Sequence, residues 1–266
     1  MTGIRQLLEY FSGRRLRLRV QQLAALACNP HVTVYPERMR FPDRAQRILV
    51  LTPHADDETF GAGGALLQHL AHGDTVGVVL FSDNIASIDG DVLSGEEKCA
   101  LRLEEFAGAM RALGITEHES AVIGNRDFSP DVYPASLFTR LIEKEADVLY
   151  LPSLFDNHQD HRILNIWLRR ALREHPGYRP LIRGFEVWSP LPATAVTDIT
   201  QHIESKRAAM GCYASQQEAI DYMHHIEGLN AYRAMTLGEK KIRYAEAFLE
   251  LPADAYLDLV ESSLLQ

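Results

Sequence analysis

The sequence predicts an α/β fold: a Rossmann-like, mostly parallel sheet flanked by helices, with an N-terminal helical extension and a helical C-terminal region. Three observations carry this. Short, nearly continuous apolar runs recur, as in residues 47–53 (RILVLTP) and 75–82 (TVGVVLFS), and such runs mark strands buried on both faces. Segments with the apolar spacing of helices separate them. Histidine- and acid-rich stretches follow two of the runs directly, where open α/β sheets bind their ligands.

In chain order, residues 3–27 read as a helix, with Gly13 as a break, followed by a polar loop holding Pro30, Pro36 and Pro42. The first buried strand is 47–53, and a helix over Gly64–His72 leads to the second, Thr75–Ser82. A long helix follows from about Ser94 to Leu113, stopped by Gly114. Residues 121–124 suggest a weak third strand, 135–145 a helix and 147–152 a fourth strand. A helix over about 159–174 and strands at 182–188 and 195–199 complete the pattern, and the chain from about Thr200 reads as mostly helical. The expected division is an extension and linker over 1–45 and one chemistry-bearing domain over 46–266.

Composition narrows the function classes. Of 266 residues 46 % are hydrophobic and 24 % charged, which suits a packed core rather than disorder. The net charge of -9 argues against a nucleic-acid binder, which carries a basic face. Charge is uneven: nine arginines stand against three acids in residues 1–50, so that segment carries about +6 and the remainder about -15. Cys28, Cys99 and Cys212 are odd in number and far apart, which fits a reducing compartment and offers no cysteine metal site. With no long apolar run and no signal-peptide core, the expected location is cytoplasmic. Leucines mixed with arginines over residues 1–27 suit either peripheral contact with an anionic inner-membrane surface, or packing on the protein's own domain or on a twin subunit in a homo-oligomer.

The chemistry concentrates in two clusters. The first is Pro53-His54-Ala55-Asp56-Asp57-Glu58 with Gly61, Gly63 and Gly64; the second is Asp156-Asn157-His158-Gln159-Asp160-His161. Together they supply three histidines and five acids, the ligand and base inventory of a hydrolytic zinc site. Each also has a plainer reading. Acids at a helix start complement its positive N-terminus, and Asp156 and Asn157 suit a helix cap. Three consecutive acids nonetheless repel one another unless a cation relieves them. A dinucleotide loop is excluded, because Leu66 stands where the third glycine would be and three carboxylates would face the pyrophosphate. The glycines are expected to let the helix start tightly beneath a metal site.

These residues resemble the LmbE/PIG-L N-deacetylases. His54-Ala55-Asp56-Asp57-Glu58 is similar to that family's (A/P)-H-P-D-D-E motif, and His158-Gln159-Asp160-His161 to its H-x-D-H motif. Further matches are Gly61-x-Gly63-Gly64, Arg102-x-Glu104-Glu105 with Leu113-Gly114, Asp127, Asp198-Ile199-Thr200, Lys206 and Tyr213-x-Ser215-Gln216. Ala55 departs from the family's proline and carries no chemistry.

The resemblance implies a hydrolase that removes the N-acetyl group from an amino sugar of N-acetylglucosamine or N-acetylgalactosamine type in a glycoconjugate, such as a cell-surface polysaccharide or lipopolysaccharide precursor. It implies His54, Asp57 and His161 as ligands of Zn2+, with Fe2+ also suited to two histidines and a carboxylate. Asp56 would be the general base toward the attacking water. His158 would polarise the amide oxygen or protonate the departing amine. Asp160 would orient a histidine and Glu58 would give structural support; Arg102 and Asp127 resemble positions that can hold a sugar, and each equally suits a helix-face ion pair or a turn. In the C-terminal segment His224 and His225 suit either the border of the pocket or the surface, and helices bearing Tyr222, Tyr232, Arg233 and Tyr244 could close over a sugar. Two other readings stay open: the same site acting on another N-acyl conjugate (an antibiotic or thiol precursor), and a non-catalytic sugar- or nucleotide-binding module.

Overall fold

The computed structural model describes residues 35–88, 92–124, 127–218 and 220–264. The helix expected over residues 3–27 lies outside them. Eight strands form one sheet in the order β1-β7-β8-β6-β5-β2-β3-β4. Their ranges are β1 Glu37–Arg38, β2 Arg47–Thr52, β3 Thr75–Ser82, β4 Glu117–Ile123, β5 Val148–Pro152, β6 Leu181–Phe185, β7 Ala195–Asp198 and β8 Ala245–Pro252. All pairings are parallel except those of β8, which runs antiparallel to both β6 and β7. The central strand β2 pairs with β3 from Arg47↔Thr75 to Thr52↔Leu80, and with β5 from Ile48↔Val148 to Val50↔Tyr150. Chain order reverses there, so β2 and β5 bracket the topological switch point, and a crevice opens past their carboxyl ends.

Helices cover both faces. One face packs α3 (Ala135–Glu143), α4 (Gln159–Glu174) and α8 (Ala253–Leu264) around Trp167, Phe138 and Leu164. The other packs α1 (Asp57–His72), α2 (Gly95–Leu113) and α5 (Ile203–Met210) around Phe60, Phe106 and Tyr213. The ends of α2 follow local chemistry. Ser94 Oγ accepts the Glu97 N–H at 3.3 Å while the Glu97 carboxylate accepts the Ser94 N–H at 2.8 Å, and Gly114 closes the helix at φ 75°. The short α6 (Ala214–Gln217) and the longer α7 (Tyr222–Ala234) complete the C-terminal part. Among the described residues no helix is long and apolar enough to cross a membrane.

Four elements differ from the expectation. Helix α1 begins at Asp57 rather than Gly64, because the glycines belong inside it: a Cβ on Gly61 would come within 2.2 Å of the Phe185 ring, and one on Gly64 within 2.6 Å of Ile199. Close approach to the sheet, not a phosphate loop, is what they serve. Strand β4 starts at Glu117, its polar residues tolerated on an edge strand. Strand β8 interrupts the region read as helical, since its Ala, Glu and Leu residues favour helices locally while burial on the sheet overrides that preference. Residues 37 and 38, assigned to the linker, pair with Ala195 and Val196 of β7.

Candidate metal centre and active-site cavity

The β2–α1 turn and the β5–α4 turn bring both clusters to one crevice. Asp56 links β2 to α1 at φ 129°, a backbone region that side chains rarely adopt. Such strain persists only where surrounding contacts impose it, and it concentrates at functional sites. Here those contacts are explicit. Asn84 accepts the Ala55 N–H at 2.9 Å, Glu58 accepts the Asp56 N–H at 3.2 Å, and Arg102 hydrogen-bonds the Ala55 carbonyl.

Asp57 lies at the centre of the histidines. Its Oδ2 is 3.1 Å from His54 Nδ1 and 3.2 Å from His161 Nε2, and it also accepts the His54 backbone N–H at 3.1 Å. Ligands about 2.0–2.2 Å from a tetrahedral zinc stand about 3.3–3.6 Å from one another, so these spacings suit three corners of such a site. A nitrogen from each of His54, His158 and His161 also lies within 4.8 Å of the others. Both His161 ring nitrogens are buried without a hydrogen bond of good geometry, although carboxylates flank them. A cation at this point would satisfy one of them. The donor set of nitrogen and carboxylate oxygen fits a divalent ion.

Electrostatics agree. Burial alone would lower the histidine pKa values, but hydrogen bonds to Asp160 and Asp57 raise His54 to about 10. The Asp57 and Asp156 carboxylates likewise overcome burial and raise His161 to about 9. Asp57 is held below the usual carboxylate range, its own burial overcome by His161 and His54. The cluster therefore draws positive charge, as protons or as a metal ion. Asp56 behaves oppositely: burial pushes its carboxyl up to about 7, against the pull of Arg102.

The outer partners fall where a metal site needs them. His54 Nε2 is 3.0 Å from Asp160 Oδ2, the expected orienting contact. His161 Nδ1 is 3.3 Å from Asp156 Oδ1, and Asp156 also accepts the backbone N–H groups of His158 and Trp188, each at 2.9 Å. Asp156, read from sequence as one of the clustered acids or as a helix cap, does not cap α4; that cap is His158, whose Nδ1 accepts the Asp160 N–H at 3.2 Å. With Nδ1 accepting, the neutral His158 ring carries its proton on Nε2. Burial and the neighbouring His54 and His161 push its pKa down to about 4.

Glu58 is fully buried among Thr59, Tyr213 and the Asp56 N–H, clear of the histidines, as support for the turn. Arg102, read as either a sugar contact or a helix-face ion pair, is 0 % exposed and does not line the cavity. Its guanidinium binds Asp56 at 2.9 Å and Glu105 at 2.5 Å, so it positions the candidate base. An arginine aimed inward and one aimed at a pocket look alike in sequence. Asp127 is exposed beside the cavity, with Phe128 rather than Asp127 in its wall.

The cavity itself is about 460 Å³ and is lined by His54, Asp56, Asp57 and His158. Asp83, Ser87, Gln216, Tyr222 and Trp188 line it as well. Of the C-terminal tyrosines and arginine expected to close over a sugar, Tyr222 alone lines the cavity, and His224 and His225 are exposed and do not line it.

Fold and site together define an α/β domain with a candidate divalent-metal centre at the switch point of its sheet. Residues 49–172 match the family described as PIG-L, GlcNAc-PI de-N-acetylase. A diacetylchitobiose deacetylase from Thermococcus kodakarensis is 29 % identical over 122 residues, covering 44 % of this chain and 45 % of that protein. The chain thus matches about half the length of that relative. The fold is shared with the N,N'-diacetylchitobiose deacetylase of Pyrococcus horikoshii (22 % identity, 80 % and 86 % of the two chains, TM-score 0.67). It is shared also with a 4-carboxy-2-hydroxymuconate hydratase from Pseudomonas putida (23 % identity, 77 % and 96 %, TM-score 0.61). Fold alone therefore does not choose the reaction.

Proposed function

We propose that this protein is a metal-dependent N-deacetylase acting on an N-acetylated amino sugar of N-acetylglucosamine or N-acetylgalactosamine type within a glycoconjugate. The observation that carries the reading is the division of labour between adjacent carboxylates. Asp57 points to two histidine nitrogens at 3.1 and 3.2 Å, whereas Asp56 is turned away by its φ of 129°, held by Arg102, and lines the cavity. One carboxylate is built to share a cation and the next to handle a proton.

In this proposal His54, Asp57 and His161 hold the ion, zinc or ferrous iron. When bound, such an ion supplies Lewis acidity toward the amide oxygen and lowers the pKa of water. Asp56, near neutral in pKa, takes a proton from the attacking water and can return it to the departing amine. His158 donates its Nε2–H toward the amide oxygen, where negative charge develops. Asp160 and Asp156 keep His54 and His161 in register. Asp127, exposed and next to Phe128 of the cavity wall, would meet a sugar hydroxyl. We place the enzyme in the cytoplasm; co-sedimentation with anionic vesicles, with and without residues 1–27, decides between contact of that segment with the inner membrane and its packing on the protein's own domain or a twin subunit.

The deciding experiment measures primary-amine release from a panel of N-acetylated sugars, free, nucleotide-linked and lipid-linked, by zinc-loaded protein with Asp56→Asn as control. Release that vanishes in the variant supports the reading and ranks the aglycones. Silence across the panel with metal bound would sink it, and would favour another N-acyl bond or a hydratase-type reaction, which frees no amine.

A further inference from the structure

We infer that Asn84 is a positioning residue for Asp56: through the Ala55 N–H it holds the β2–α1 turn in the shape that aims the candidate base, in place of a proline ring; this rests on the deacetylase reading. The motif that residues 54–58 resemble has a proline where this chain has Ala55. A proline stiffens such a turn by fixing its own φ, and it has no N–H. Alanine fixes nothing and restores a donor. Ala55 is 0 % exposed, so that donor is removed from water and needs a partner. Asn84 Oδ1 supplies one at 2.9 Å.

The partner is itself held. Asn84 stands just past the end of β3, the strand beside β2 in the sheet. It is buried, and its Nδ2 donates to the Ser82 carbonyl at 2.9 Å, so the amide bridges the two strand ends with both of its polar atoms used. Its backbone sits at φ 59°, in the left-handed region that asparagine tolerates and glycine adopts freely. The Ser87 N–H and hydroxyl both donate to the Asn84 carbonyl, at 3.1 and 2.8 Å.

Three side chains hold the peptide groups of the turn. Glu58 accepts the Asp56 N–H and Arg102 bonds the Ala55 carbonyl, and neither contact needs an N–H at position 55. The Asn84 contact does. Asp56, the next residue, is at φ 129°, a strained conformation that persists only while such contacts over-determine it. Without Asn84 the peptide between His54 and Ala55 can turn toward the cavity that Asn84 lines, and Asp56 turns with it.

The two positions are therefore coupled: each change harms alone, and the two together do not. Asn84→Gly removes the side chain and keeps the backbone. Ala55 has a negative φ, as proline requires, but the ring of Ala55→Pro lies in the line of the N–H bond, against Asn84 Oδ1. Only Asn84→Gly makes room for it.

Amine release and two metal-free measurements test this. In zinc-loaded enzyme acting on an N-acetylated sugar, Asn84→Gly lowers kcat per bound zinc about 10–100-fold and moves KM by less than about twofold. Ala55→Pro also lowers kcat, and Asn84→Gly with Ala55→Pro returns it to within about threefold of the unmodified enzyme. In metal-free protein, Asn84→Gly speeds exchange of the Ala55 amide, read by NMR, about 100-fold. Ala55→Pro lowers the urea midpoint in the unmodified background but not in the Asn84→Gly background. Equal effects of Ala55→Pro in both backgrounds, on midpoint or on rate, overturn the coupling. An Ala55 amide that exchanges no faster in Asn84→Gly overturns the hold itself. A loss in Asn84→Gly that falls on KM rather than kcat overturns the positioning role and makes Asn84 a substrate contact. If even the unmodified enzyme releases no amine while exchange and midpoints follow the coupling, the deacetylase reading fails and the Asn84 hold on the turn stands.

Discussion

Helix α1 is gripped at two places by buried charges, and the two grips are built on opposite principles. Seven to eight residues past Asp57, the Gly64 and Ala65 N–H groups donate to Glu246, each at 2.8 Å, and Glu246 in turn accepts from Lys206 at 2.7 Å. The Lys206 ammonium spends its remaining donors on the Phe60 carbonyl at 2.8 Å and on Asn230 at 2.9 Å. That grip is closed: every hydrogen-bonding position has a partner. At the start of the helix, His54, Asp57 and His161 crowd together, the His161 nitrogens lack proper partners, and Asp56 is strained. Burial and charge are common to both, so neither identifies a functional site. What separates them is the remainder after internal partners are counted.

The sharpest way to break that comparison is Asp56→Asn. The open grip should lose activity by about 10²–10⁴ while metal content, read by mass spectrometry, and melting temperature hold. A variant that keeps its rate would remove Asp56 from the chemistry. Lys206→Met tests the closed grip. It leaves Glu246 buried without its cation and should cost about 3–5 kcal/mol in urea unfolding. The folded fraction should keep a rate far above that of Asp56→Asn. A stable but inactive variant would mean that the closed grip is not merely structural.

A third buried polar group gives a pH signature. His69 donates Nδ1–H to Asp74 at 2.6 Å and accepts at Nε2 from Tyr150 at 2.9 Å and Arg183 at 3.2 Å. Burial, with Arg183, outweighs Asp74 and lowers its pKa to about 4. Because the folded value lies below the unfolded one of about 6.5, the neutral ring's contribution is complete above pH 6.5 and drains away as pH falls toward 4, about 3 kcal/mol in all. Stability measured across that window should flatten in His69→Gln, and an unaltered slope would refute the assignment. The smallest effect is expected from Asp156→Asn. Loss of the charge beside His161 should weaken zinc binding about 10–100-fold by competition with a chelator, with little change in the unfolding midpoint of the metal-free protein. Equal zinc affinity would make Asp156 an anchor for backbone N–H groups alone.

Much of this was legible in the sequence where a residue's neighbours along the chain decide its role. The apolar runs at 47–52 and 75–82 are strands because burial on both faces demands them, and Ser94, Glu97 and Gly114 mark the ends of α2 by chemistry local to each end. The metal candidates were legible because both clusters immediately follow strands. What escaped depends on distant partners. Gly61 is acceptable in a helix only because Phe185 lies against it, Ala245–Pro252 is a strand only because β6 and β7 flank it, and Arg102 faces inward only because Asp56 and Glu105 receive it. No spacing rule contains those contacts.

The place of β8 also sets an order of assembly. As the chain emerges from its N-terminus, all three histidines, Asp56 and Asp57 are available once residue 161 has been made. Yet β7, with β1 on its far side, joins the sheet only through β8, and β8 also delivers Glu246 to Lys206 and α1. The residues that would attract a metal are made first and the clamp beneath them last. A ribosome that stops short of residue 245 would thus release a chain with its metal-attracting side chains in full and two sheet strands without a seam to join, a product marked for aggregation or proteolysis rather than partial activity.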